Sequence, residues 1–163
     1  MRLFKPREVL ARVTDATPAW FSERGLEAAI LDLDNTLIPY GYEGEPPETL
    51  TRWLASLKEA GIPAILLTNA KPGRTRRWAK KLGIPGLGPA AKPLPFGFLW
   101  AAGRLGTPHL RVAVFGDQVF TDVLGGNLLG FYTVYVVPLS DRGLPHTRFV
   151  RRLERHFLPG KEA

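Results

Sequence analysis

Three short apolar runs, each breaking off into polar residues, constrain this chain more than any other feature. Residues 28–32 end in Asp32-Leu33-Asp34, residues 63–68 in Thr68-Asn69, and residues 110–115 in Gly116-Asp117. Apolar runs of this length, bounded by turn residues, have the pattern of strands buried on both faces. Helix-periodic segments separate them. Within residues 47–60, Leu50, Trp53, Leu54 and Leu57 fall at i, i+3, i+4 and i+7, and Gly61 supplies the stop. A basic helix is expected over 72–82, ended by Gly83, and another over 93–105, interrupted by Pro95 and Gly97. Residues 119–129 predict a helix ended by Gly130, and residues 131–137 a strand ended by Pro138. Short helices are expected at 5–13, with Pro6 in the first turn, and at 146–157. Strands alternating with helices predict an α/β fold: a Rossmann-like parallel sheet flanked by helices on both faces. In such sheets ligands bind beyond the carboxyl ends of the strands. The three polar exits are therefore expected to converge on one crevice.

Length and charge narrow the partners. At 163 residues, a single domain over 1–163 is expected. With no cysteine, disulfides, thiolate metal sites and a Cys nucleophile are excluded. The first six residues have no signal-like apolar core, and a cytoplasmic location is the expectation. The longest uncharged run, 123–139, carries Gly125, Gly126, Asn127, Gly130 and Pro138 and is too short for a membrane span of roughly 20 residues. The net charge of +7 concentrates in two places. Lys71, Arg74, Arg76, Arg77, Lys80 and Lys81 form one acid-free segment. Residues 142–163 carry six Lys or Arg against Glu154 and Glu162. Such segments suit a phosphate-rich partner, whether anionic lipid or nucleic acid, and equally suit a solvated helix face.

Asp32 and Asp34 stand i, i+2 at a strand exit, where alternate residues share a face. Two like charges side by side are best offset by a divalent cation, which points to Mg²⁺ with one carboxylate free to act as nucleophile. The bland alternative is an Asp pair that caps the next turn.

The motifs resemble those of the haloacid dehalogenase (HAD) superfamily phosphatases. Asp32-Leu33-Asp34-Asn35-Thr36-Leu37 matches the first, Leu66-Leu67-Thr68-Asn69 the second, Lys92-Pro93 the third, and Gly116-Asp117 through Asp122 the fourth, in the family's order over about residues 28–138. The likeness is greatest to the YqeG-like group of subclass IIIA, which includes the mitochondrial phosphatidylglycerophosphate phosphatase of yeast. The resemblance implies that Asp32 attacks phosphorus and that Asp34 serves as general acid and base. It implies phosphate binding by Thr68, Asn69 and Lys92. It implies Mg²⁺ held by Asp32, Asp117 and the backbone carbonyl of Asp34, with Asp122 behind the metal or Lys92. Asn35 is expected to fix the loop after the nucleophile, and Gly125-Gly126-Asn127 to permit close packing.

Neither the interval between Asp34 and Thr68 nor that between Thr68 and Lys92 can hold a separate cap domain. An open site suits a phosphate displayed on a large body. Phosphatidylglycerophosphate at the inner face of a membrane is the leading expectation, with the aromatic stretch at residues 95–100 either touching lipid or packing in the core. The alternatives are a phosphoprotein, nucleotide or sugar phosphate as substrate, or a basic RNA- or ribosome-binding module with a vestigial site.

Overall fold

The computed structural model describes residues 2–142 together with residues 152, 155, 156 and 158. One sheet contains β1 (Glu8–Leu10), β2 (Ala28–Leu31), β3 (Ala64–Leu67), β4 (Gly86–Leu87), β5 (Val112–Gly116) and β6 (Tyr132–Val136). The strands lie in the order β1-β6-β5-β2-β3-β4, and all pairings are parallel. The helices are α1 (Pro18–Glu23), α2 (Glu48–Glu59), α3 (Pro72–Leu82), α4 (Pro95–Leu105) and α5 (Leu124–Leu128).

The period of two along each strand divides the core. Ala29 and Leu31 of β2 pack with Trp20, Phe21, Trp53, Leu57 and Trp78 from α1, α2 and α3. Ala28 and Ile30 face the other way, onto Phe98, Ala101 and Ala102 of α4 and onto Phe131. Helices thus cover both faces, which is why the strand sequences are continuously apolar rather than alternating.

Several expected elements differ. Residues 5–13 are not a helix: β1 lies there, between 3-10 turns at Arg2–Phe4 and Val13–Asp15. Glu8, Val9 and Leu10 pair with Val134, Tyr135 and Val136, so a partner far along the chain overrides local preference. The six-residue α1 and two-residue β4 are too short to leave a periodic signal. β5 starts after a 3-10 turn at His109–Arg111, and the segment expected as one helix over 119–129 opens with a π turn at Val119–Val123. The terminal helix expected at 146–157 lies outside the described residues. No helix among the described residues is long and apolar enough to cross a membrane.

From β2 the chain steps outward to β3 and β4, then returns to β5 on the other side of β2. The reversal opens a crevice at the carboxyl ends of β2 and β5. A loop alone joins β2 to α2, and only α3 and β4 stand between β3 and α4, so no cap domain covers that edge among the described residues.

Candidate active site

Asp32 is the first residue past β2, and its backbone N–H donates to the Phe115 carbonyl at 3.0 Å. That bond ties the exit of β2 to the exit of β5, where Asp117 is fully buried. Asp122, on the π turn, folds back over Gly116. A Cβ at Gly116 would stand 2.1 Å from the Asp122 Cγ, so only glycine admits the carboxylate. Asp32, Asp117 and Asp122 can each present an oxygen within 4.8 Å of the others, and all three residues are buried.

Lys92 enters this cluster from the segment before α4. Its Nζ donates to Asp32 Oδ1 at 2.9 Å, to Asp122 Oδ1 at 2.5 Å and to the Leu67 carbonyl at 2.8 Å. All three ammonium protons are thereby committed. Asn69 clamps the Lys92 backbone from both sides: its Oδ1 accepts from the Lys92 N–H at 2.8 Å and its Nδ2 donates to the Lys92 carbonyl at 3.1 Å. The exit of β3 therefore sets where Lys92 stands. Burial pulls the ammonium pKa down, but the charges of Asp122 and Asp32 outweigh it, and the group is held above the ordinary lysine value. Burial pushes the Asp122 carboxyl up, to about 7, with Lys92 opposing and the Asp32 charge reinforcing. Among the described residues, three buried carboxylates share the cluster with one ammonium, which contacts Asp32 and Asp122, and an all-oxygen donor set with surplus negative charge suits a hard divalent cation.

The other expected residues are placed as follows. Thr68 is buried, with its Oγ1 accepting from the Ala70 N–H at 3.1 Å. The Asp34 carboxylate lies outside the three-carboxylate cluster. It accepts from Arg74 Nη2 at 2.8 Å and from the Gly41 N–H at 3.1 Å. Arg74 also pairs with Glu43, as does Arg77 at 3.3 Å, and Lys81 donates to the Gly44 carbonyl at 2.9 Å. Three cations of the basic helix are thus engaged by the 40–45 loop, whereas Lys71, Arg76 and Lys80 form no ion pair among the described residues. Gly125 abuts Phe98, where a Cβ would lie 2.4 Å from the ring, which accounts for its close packing.

Two participants were not assigned these contacts from sequence. Arg74 is the ion partner of Asp34, and the only sequence signal was an acid-bearing loop, Glu43 to Glu45, preceding an acid-free helix. Asn35 reaches further than its own loop. At φ +62° its Oδ1 accepts from the Tyr40 N–H, the Ser140 N–H and the Ser140 hydroxyl at 3.2, 3.1 and 2.6 Å. Its Nδ2 donates to the Arg142 carbonyl at 2.9 Å.

Residues 40–130 match the haloacid dehalogenase-like hydrolase family. The chain is 35% identical over 157 residues to the probable phosphatase YqeG of Bacillus subtilis, covering 96% of this chain and 91% of that one. The chain belongs to the haloacid dehalogenase-like hydrolases. It is a phosphatase of that family. A second relative is the chloroplastic phosphatidylglycerophosphate phosphatase 1 of Chlamydomonas reinhardtii, 32% identical over 145 residues. That match covers 82% of this chain and 53% of the relative, so the chain spans about half of that protein. Among solved structures, the HAD phosphatase from Thermococcus onnurineus has a TM-score of 0.54 at 16% identity, covering 74% of this chain and 90% of that one. The cobalt-bound deoxy-D-mannose-octulosonate 8-phosphate phosphatase YrbI from Haemophilus influenzae has a TM-score of 0.57 at 16% identity, covering 78% and 75%. At these identities the structures share the fold.

Proposed function

We propose that this HAD hydrolase is a Mg²⁺-dependent phosphomonoesterase working through an aspartyl-phosphate on Asp32. Its substrate is a phosphate displayed on a large body, phosphatidylglycerophosphate at the inner face of a membrane foremost. The observation that carries the mechanism is the grip of Lys92 on Asp32 inside the buried carboxylate cluster. Lys92 fixes the orientation of the Asp32 carboxylate and lowers its repulsion toward an anionic phosphate while keeping its own proton.

In the first step an Asp32 oxygen bonds to phosphorus and the ester P–O bond breaks. The leaving oxygen takes a proton from Asp34. In the second, Asp34 removes a proton from water, the water oxygen bonds to phosphorus, and the Asp32 carboxylate departs from inorganic phosphate. The Thr68 hydroxyl and the Asn69 N–H supply donors for the equatorial phosphoryl oxygens. Asp32, Asp117 and the Asp34 carbonyl would hold Mg²⁺, with Asp122 braced behind them by Lys92. When bound, the ion neutralises charge as one anion approaches another. The cobalt in the YrbI structure supports a divalent ion on this fold.

The open carboxyl edge and the relative named for phosphatidylglycerophosphate support the lipid substrate. Lys71, Arg76 and Lys80, which form no ion pair among the described residues, also suit a nucleotide or RNA. A complete carboxylate cluster favours catalysis over a vestigial binding module.

The test is phosphate release from phosphatidylglycerophosphate in mixed micelles with Mg²⁺, alongside sugar phosphates, nucleotides and a phosphopeptide. Release should vanish in Asp32→Asn and be removed reversibly by EDTA. Turnover by Asp32→Asn equal to wild type would overturn the mechanism. Release from another substrate alone would overturn the lipid assignment.

A further inference from the structure

Exposed large apolar side chains gather on one edge of the sheet. Eleven are exposed among the described residues. Seven of these stand in segments that leave the carboxyl ends of strands: Tyr40 and Tyr42 after β2, Leu94, Phe96 and Leu99 after β4, and Val137 and Leu139 after β6. Single exposed apolar side chains need no explanation, but a set concentrated in the segments at one edge does.

Resting on the lipid reading above, we propose that this rim is a docking surface for an anionic bilayer, with the first turn of α4 as its inserted part. Phe96 is 73% exposed and Leu94 53%, the most exposed apolar residues of the rim. Helical geometry explains the contrast with their neighbours. Phe98, Ala101 and Ala102 turn inward onto the sheet, whereas Phe96 and Leu99 turn outward. Farther along the helix, Trp100 is half-buried with the Arg104 guanidinium 5.8 Å from its ring, an aromatic and cationic pair suited to a headgroup zone.

The patch is rigidly coupled to the site. Leu94 and Phe96 follow Lys92 by two and four residues, and Asn69 clamps the Lys92 backbone. A bilayer meeting this turn therefore lies at a fixed place relative to Asp32, and a headgroup phosphate can enter the crevice while acyl chains stay in the membrane.

Charge selects the occupant. Lys71 at the start of α3 and Arg142 beyond β6 flank the edge without ion pairs among the described residues. The chain continues from Arg142 into residues 143–163, whose sequence has five Lys or Arg against Glu154 and Glu162. A second copy carries the same +7 and is repelled. RNA would gain little from the aliphatic Leu94, Leu99, Val137 and Leu139, because base stacking uses aromatic faces. An apolar insertion beside basic charge is the combination that holds a protein reversibly on anionic lipid.

The experiment is co-sedimentation of the full chain with phosphatidylcholine vesicles, with and without phosphatidylglycerol, for wild type and Phe96→Ser/Leu99→Ser. Wild type should pellet with the anionic vesicles, less so as salt rises. The variant should bind about a hundredfold more weakly, since each of the two lost insertions is worth about a decade in affinity. Its thermal melt and its hydrolysis of soluble p-nitrophenyl phosphate should match wild type. Equal vesicle binding by the two proteins, no wild-type binding, or a wild-type dimer that the variant loses would each overturn the proposal. Phe96-dependent vesicle binding without phosphate release from embedded phosphatidylglycerophosphate would leave docking standing and discard the substrate. Release from detergent-dispersed lipid without vesicle binding would do the reverse.

Discussion

Lys92→Met replaces the one cation that the carboxylate cluster holds among the described residues with an apolar side chain of similar length. In the wild type, Lys92 Nζ spans Asp32 and Asp122 at 2.9 and 2.5 Å, with its side chain 3% exposed. Removing one partner of a buried ion pair typically costs about 3–5 kcal/mol, because the remaining charge is left uncompensated. Here two carboxylates are left facing each other, and the Leu67 carbonyl loses its donor as well. Partial protonation of Asp122, whose pKa burial already raises, relieves some of that penalty, so a loss of about 3 kcal/mol is expected. Urea unfolding of wild type, Lys92→Met, Asp122→Asn and the double variant, all in EDTA, isolates the pair. The double variant should be less destabilised than the sum of the singles by about 2 kcal/mol, within the range for residues in direct contact. The same substitution should lower kcat by about 10²–10³, the loss typical of one preorganised electrostatic group. A single-variant loss below about 1 kcal/mol, or coupling indistinguishable from zero, would refute the account of Lys92 as the centre of the cluster.

Substitutions at two further residues test the frame around the site. Asn35→Ala removes the acceptor for Tyr40 and Ser140 and leaves a non-glycine residue without a polar side chain at φ +62°, so a loss of about 2–4 kcal/mol in urea unfolding is expected. Asn35→Gly tolerates the backbone conformation and should lose only the hydrogen-bonded part. Glu8 receives Arg24 at 2.7 Å together with Trp20 and Tyr132; burial raises its carboxyl pKa, but these partners outweigh it and hold it below the ordinary carboxylate value. Its contribution, about 1 kcal/mol after solvent screening, is present above that ordinary value and is lost as pH falls through the lowered folded one. The stability difference between wild type and Glu8→Gln should therefore be constant near neutrality and shrink below about pH 4.5. A difference that grows on acidification would contradict this sign.

The placement of Asp32, Thr68 and Asp117 at strand exits was legible because it is a local property. A short apolar run followed by polar residues ends a buried strand wherever the chain carries it, and a parallel sheet brings such ends together. The helix over α2 was legible for the same reason, its apolar positions being neighbours in sequence as well as in space. β1 was not, because its strand state depends on β6, more than a hundred residues away. The pairing of Asp34 with Arg74 and the fit of Asp122 over Gly116 were likewise invisible. So was the exposure of Leu94, Phe96 and Leu99 just after Lys92. The sequence by itself determined which polar residues leave the strands and in what order they meet the sheet. Which of them touch, and what the edge around them presents to its surroundings, was decided by tertiary contacts among residues that share no local pattern.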